Sequence, residues 1–228
     1  MKPRPFFYGA CLALVAAAVT LAACSDDTNT PGTTADLKLL HAAAAAGPID
    51  LEVGGMTVIR GVTYGHASPV TRVPGGTQHI VLRSGAAVVA SLDATISETT
   101  LNSLMLSATG AQMAAVVVPD TGAVATDRAN IRMVNVVGAN SSPPTLLAVK
   151  VTAPAPDTVM TFGIDTQIAR YGTLMYFDPG TFTFRFQPDR SSTVLTQVTF
   201  DVAAGQTKAV VLERAADGTY SASVVIEE

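Results

Sequence analysis

Along most of this chain the apolar residues recur with a period of two, in short runs. Ile49-Asp50-Leu51-Glu52-Val53 alternates cleanly, and so do Phe182-Thr183-Phe184-Arg185-Phe186 and Val198-Thr199-Phe200-Asp201-Val202. Successive side chains of a strand point to opposite faces, so each run reads as a strand with one buried face. Turn residues interrupt the runs at Gly54-Gly55, Pro74-Gly75-Gly76, Asp120-Thr121-Gly122, Asp178-Pro179-Gly180 and Asp217-Gly218. Many short strands separated by such turns predict a sandwich or a barrel. The chain is rich in Val, Thr, Ala and Gly, which suits strands and turns more than long helices. The one run with helical character, Ala42–Ala46, is too short to stand alone and ends at Gly47-Pro48.

The pattern occurs twice. Leu37-Lys38-Leu39-Leu40-His41 matches Ile131-Arg132-Met133-Val134-Asn135, and Val73-Pro74-Gly75-Gly76-Thr77 matches Phe177-Asp178-Pro179-Gly180-Thr181. Ile80 and Leu82 then correspond to Phe184 and Phe186, and Ala94-Thr95-Ile96 to Val198-Thr199-Phe200. The second copy carries about ten more residues between its first strand and its Pro-Gly turn. Repeat one is expected over 36–125 and repeat two over 129–228, joined at Ala125–Ala129. About seven strands per repeat is the count of an immunoglobulin-like sandwich, and a two-sheet sandwich of another topology fits equally well. The expected fold is therefore all-β, two tandem immunoglobulin-like β-sandwich domains, each closing its own core. The second should be the more aromatic.

The first residues read as an address. Lys2 and Arg4 precede an uncharged run from Phe6 to Ala23, rich in Ala, Leu and Val. This is the layout of a signal peptide over 1–23. Leu21-Ala22-Ala23-Cys24 at its end has the form of a lipobox, with cleavage before Cys24 and lipid on its thiol. A transmembrane anchor needs roughly 17–25 apolar residues, and an anchor or a plain secretory leader leaves the position of the cysteine unexplained. Cys11 is lost with the leader and Cys24 is acylated, so the mature protein has no disulfide and no cysteine-based site. Residues 24–35 are then the lipidated cysteine and a polar tether containing Pro31 and Gly32. Ser25 follows the cysteine, which favours the outer membrane where the host has two membranes. The expected location is the cell envelope, held by membrane lipid through acylated Cys24.

Removing 1–23 takes away two of 14 basic residues and none of the 18 acidic ones, which leaves 12 against 18 and a net charge near −6. A mildly acidic chain without a Lys/Arg cluster excludes nucleic acid as a natural partner. No Gly-x-Ser-x-Gly, His-Glu-x-x-His or Gly-rich phosphate loop occurs. The three histidines, His41, His66 and His79, all lie in repeat one without paired spacing, so no metal and no cofactor are expected. His41 is expected at a strand end with its ring bonded to a loop, and His79 on a solvent face. Asp50 and Glu52 project from one strand face, as a glycosidase pair or a solvated face would. Without Trp, a stacking platform for sugars is hard to build, and Tyr64, Tyr171 and Tyr176 are left as candidates for a weaker patch.

Leu37–Ala42, then Gly47-Pro48-Ile49-Asp50-Leu51-Glu52-Val53-Gly54-Gly55, then the Val73–Gly76 turn, resemble the DUF4397 family of exported bacterial proteins. The resemblance implies a tandem β-sandwich module of the cell surface or periplasm, of unknown activity. The second copy departs from it: Asn135 stands where His41 does, and the Asp50 segment has no clear counterpart, so any role of that histidine is confined to repeat one. The expected function is a non-catalytic binding or spacer module, with an envelope protein or glycan as partner and His41, Asp50, Glu52 and Tyr64 as its weak binding candidates. The alternatives are an enzyme with its site at the domain joint and a purely structural envelope lipoprotein.

Overall fold

Every regular element in the computed structural model is a strand, over the described residues 33–109, 112–120, 122–135, 146–152, 159–165, 170–171, 174–188, 190–214 and 217–227. The leader, Cys24 and the tether up to Gly32 lie outside them. The first eight strands are β1 (Thr34–His41), β2 (Ile49–Val53), β3 (Met56–Val62), β4 (Thr71–Pro74), β5 (Gly76–Ser84), β6 (Ala87–Ile96), β7 (Leu101–Thr109) and β8 (Gln112–Asp120). They form two sheets, ordered β4-β1-β7-β8 and β3-β2-β5-β6. The inward side chains of both sheets make one aliphatic core, with Leu37, Leu39, Leu51, Ile80, Leu82 and Leu104 among its fully buried members.

The second half repeats this plan with β9 (Ala129–Asn135), β10 (Leu146–Thr152), β11 (Val159–Asp165), β12 (Arg170–Tyr171), β13 (Met175–Phe177), β14 (Gly180–Pro188), β15 (Thr196–Val202), β16 (Thr207–Arg214) and β17 (Tyr220–Glu227). Its sheets run β12-β9-β16-β17, with β13 also on β9, and β11-β10-β14-β15. In each half the first strand lies parallel to the seventh of the plan, β1 to β7 and β9 to β16, while the other pairings are antiparallel. The protein is thus all-β and built of two sandwiches, which over the described residues have eight and nine strands rather than about seven. The extra strands are the short edge pieces β4, β12 and β13, which carry too few residues to show an alternation. The Ala42–Ala46 run makes a single turn, closed by Ala46 N–H to the Ala43 carbonyl, and no helix.

Strand β10 corrects one expectation. It pairs with β11 and β14 as β2 pairs with β3 and β5, so it is the counterpart of the Asp50 segment. Through the shared partner strand, Ala148 takes the place of Asp50 and Lys150 that of Glu52. The acidic residues that mark the segment in the first copy are missing from the second, which hid the match.

Strands β1 and β7 are buried on both faces. Leu37, Leu39, Leu104 and Leu106 enter the first core, whereas Leu40 and Met105 point the other way. They meet Val134, Ala209, Val211 and Val225 of the second sandwich in a third apolar cluster. Two-sided burial explains why Leu37–His41 reads as a nearly unbroken apolar run and not as an alternation. The β4-β1-β7-β8 sheet therefore lies face to face with the β12-β9-β16-β17 sheet, and Thr33–Glu228 is one compact unit.

Candidate functional site

Two charges stand at one end of the apolar contact between the sandwiches. Lys38 lies on β1 and Arg132 at the matching place on β9. The last strands supply the opposite charges, Asp120 at the end of β8 and Glu227 at the end of β17. The Lys38 ammonium is 2.7 Å from Asp120 Oδ2 and in short contact with Glu227 Oε2. The Arg132 guanidinium touches Asp120 Oδ1 through Nη1 and lies 3.0 Å from Glu227 Oε1 through Nε. Each cation thus meets one carboxylate of its own sandwich and one of the other, and the four close a neutral ring. No side chain in it is more than 8% exposed. Ser103 Oγ donates a further bond of 3.1 Å to Asp120 Oδ2. Burial by itself would raise the Asp120 carboxyl, but Lys38 and Arg132 outweigh it and hold the group below its ordinary value.

Above the ring opens a cleft of ≈ 370 Å³, bounded by Leu101, Gly122 and Val124 on one side and Gly205, Gln206 and Ile226 on the other. The joint that forms its rim is held in place. Asn130 accepts the Ala125 N–H at 2.9 Å and bonds the carbonyls of Ala125, Arg128 and Gln206 through Nδ2. Tyr176 on β13 donates its hydroxyl to the Ala123 carbonyl at 2.7 Å. At the far end of the contact, buried Glu213 of β16 accepts the Ala108 N–H of β7 at 3.3 Å. Its carboxyl is pushed up to about 7 by burial, against its hydrogen bonds from Ala108 and Ser221.

His41 ends β1 fully buried. Its Nε2–H donates to the Gly47 carbonyl at 3.1 Å, and Nδ1 accepts the Ala43 N–H at 3.3 Å, so the ring clamps the turn that follows the strand. Burial lowers its pKa, and the ring bond to Gly47 opposes this in part. Tyr64 stands edge-on to it, with ring centroids 6.1 Å apart. The segment around Tyr64 ties the halves together: Gly65 N–H bonds the His41 carbonyl, His41 N–H bonds the His66 carbonyl, and Ala67 N–H and the Gly65 carbonyl both bond Ile226. His41 and Tyr64 are therefore neighbours at the junction.

Asp50 and Glu52 are not brought to them. Asp50 Oδ1 accepts the Gly61 N–H at 2.8 Å, and Glu52 accepts Arg83 Nε at 2.8 Å. Both acids serve local contacts of the outer sheet. Tyr171 lies on β12 opposite Val134. His66 borders a separate groove of ≈ 400 Å³ with Arg60 and Thr63. His79 lies on the outer face of β5, with Nδ1 2.7 Å from Asp93 Oδ1 and Nε2 3.3 Å from Ser91 Oγ. This is the hydrogen-bond order of a nucleophile, base and acid. The imidazole and the carboxylate are each more than half exposed, so water competes for both. Among the described residues no three His, Asp or Glu side chains gather as a metal site, and no helix is long and apolar enough to cross a membrane.

The ring was missed from the sequence, although its signal is there. A cation recurs inside the same apolar strand of both repeats, and an acid recurs at the end of each last strand.

No curated protein matches the chain. Among solved structures it is similar to a leucine-rich repeat protein from Bacteroides thetaiotaomicron VPI-5482, with 13% identity and a TM-score of 0.21. That match covers 86% of this chain and only 27% of the other, and at such a score it carries no argument. Residues 35–143 match the model of a family described as a domain of unknown function, DUF4397. The matched stretch runs through the whole first sandwich and on past β9, and so includes Lys38, Asp120 and Arg132 of the ring. Over residues 35–143 the chain is similar to the DUF4397 family.

Proposed function

We propose that the chain is a non-catalytic spacer or binding module, tethered to the cell envelope by lipid on Cys24. The observation that carries this reading is the junction: two sandwiches joined face to face by an apolar cluster and a buried ring of opposite charges. Such a contact resists hinge motion, because sliding either sheet would separate buried opposite charges. A rigid pair of sandwiches on a polar tether holds its outer faces clear of the lipid, where an envelope protein or glycan can meet them. The leader and the Leu21-Ala22-Ala23-Cys24 sequence support the anchor. The cleft over the ring favours the second reading, an enzyme with its site at the joint. Against it, the charges that converge there are engaged with one another.

Two measurements test the proposal. Replacing Cys24→Ala should abolish labelling by a fatty-acid probe and release the protein from membranes; a variant that stays in the membrane beside an unlabelled wild type points to a different anchor. Residual dipolar couplings from both sandwiches should fit one alignment tensor. Two independent tensors would show hinged halves and remove the spacer role.

A further inference from the structure

Lys38 presents a primary amine to a carboxyl group in a buried ring at the floor of the cleft, with a second carboxylate on the same nitrogen. We propose that this ring matures by an intramolecular amide bond between Lys38 Nζ and Asp120 Cγ, with release of one water molecule. The atoms are in place. Nζ lies 2.7 Å from Asp120 Oδ2 and in contact with Glu227 Oε2. Arg132 Nη1 holds the other Asp120 oxygen, and Ser103 Oγ donates to Oδ2 at 3.1 Å.

The first proton passes from Nζ to Oδ2 and makes a neutral amine and a neutral acid. The nitrogen lone pair attacks Cγ, and the carbonyl electron pair moves onto Oδ1, where Arg132 faces the developing negative charge. Glu227 takes a second proton from the nitrogen and delivers it to Oδ2. The carbonyl re-forms, and Oδ2 leaves as water with the electrons of its bond to Cγ. The third proton stays as the amide N–H, and Glu227 ends as it began. No oxidant or co-reactant is needed.

Charge accounts for both the direction and the pace. Before the reaction two cations and two anions are buried together; afterwards only Arg132 and Glu227 remain, themselves a neutral pair. Removing a buried cation and a buried anion together relieves desolvation. Arg132 also favours the ionised Asp120, so the neutral acid is a minor state and the bond forms slowly. One event per molecule suffices. The product joins the first strand of the first sandwich to its last, β1 to β8, in a chain whose only cysteines are Cys11 and Cys24. The matching position of the second sandwich holds Arg132, whose guanidinium is no acyl acceptor of this kind, so one of the two sandwiches is linked.

The test is a tryptic digest of the full chain isolated from membranes and denatured. Expected is a peptide in which the chain is uncut after Lys38 and is joined to the stretch between Arg83 and Arg128 that holds Asp120. Its mass is one water below the sum of its parts. Lys38→Arg keeps the cation and gives no linked peptide. Glu227→Gln, checked for folding by circular dichroism, should slow linkage by about a hundredfold or more. Wild-type chain that is cut after Lys38, with the Asp120 peptide at full mass after prolonged incubation, overturns the proposal. A link to Glu227 in place of Asp120 overturns the assignment of the acyl partner, and undiminished linkage in Glu227→Gln overturns the proton relay.

Discussion

The two sandwiches share one strand plan and almost none of its chemistry. The first core is aliphatic, built on Leu37, Leu39, Leu51, Ile80, Leu82 and Leu104. The second is aromatic: Phe177, Phe182, Phe184 and Phe186 are buried in it, and Phe200 stacks at 6.2 Å on Phe182 and 5.5 Å on Phe184. The outer faces diverge as well, with His79 and Asp93 paired across β5 and β6 where the second sandwich pairs Thr183 with Thr199. Topology therefore follows from alternation and turn placement, and it tolerates a change of side chain wherever each half packs on itself. The match tightens where the halves meet. Lys38 corresponds to Arg132 and Asp120 to Glu227, because in a two-fold contact each cation must meet both carboxylates.

The largest expected effect comes from breaking that match. Arg132→Ala removes the guanidinium from both buried carboxylates and should cost about 3–5 kcal/mol, the usual loss when one partner of a buried pair is deleted. Replacing the whole ring at once (Lys38→Met, Asp120→Leu, Arg132→Met, Glu227→Leu) leaves no stranded charge and, compared with Lys38→Arg so that neither chain carries the amide link, should be neutral, or stabilising by about 1–4 kcal/mol. Denaturant titration of both variants checks the contrast. A mild single variant would place the ring in contact with water.

The cores give the next comparison at one matched position. Phe186→Ala should lose about 3–5 kcal/mol and Leu82→Ala about 2–5 kcal/mol, since both side chains are fully buried and the phenyl ring leaves the larger cavity. Denaturant midpoints at equal slopes measure the difference. A smaller loss at Phe186 would mean that the aromatic core collapses into the space.

Much of this was legible because the signals were periodic. The turns at Pro74-Gly75 and Pro179-Gly180 flank strands whose apolar faces point inward as the alternation requires, and the aromatic character of the second core could be read from Phe184, Phe186 and Phe200. Edge strands of two to four residues could not be read, since so few residues establish no period. Strand β10 was obscured because Ala148 and Lys150 replace the acids of its counterpart. The ring was hidden for another reason: a lysine in Leu37–His41 looks like a solvated residue until a second sheet covers it.

The contact also sets two opposed responses to pH. Burial raises the Glu213 carboxyl from an ordinary 4.5 to about 7, so it keeps its proton through the acid range. Its contribution is fully present below the ordinary value and is lost as pH rises to about 7, a swing of up to about 3 kcal/mol. His41 is shifted the other way. It contributes stability above its ordinary 6.5, and this is lost as pH falls through its lowered folded value. Glu213→Gln should therefore be more stable than wild type at pH above about 7 and lose the fall on the neutral side. His41→Asn, which copies the residue of the second repeat, should flatten the fall on the acid side. Melting temperatures across the pH range separate the two. A Glu213→Gln curve parallel to wild type would show that this carboxyl ionises freely in the folded protein.

The smallest effect is expected on the outer faces. His79→Thr together with Asp93→Thr converts the first sandwich's exposed pair into the threonine pair that the second carries at Thr183 and Thr199. The His79 and Asp93 side chains are 57% and 74% exposed, so solvent and salt screen whatever attraction they have. A cross-strand threonine pair contributes about as much as it replaces, within roughly 0.2–1 kcal/mol. The exchange should shift stability by no more than about 0.5 kcal/mol and should leave the salt dependence of the melting temperature nearly unchanged. A larger loss that vanishes at high salt would show that the ion pair, and not the strand plan, holds this face. The freedom to diverge would then end at β5 and β6.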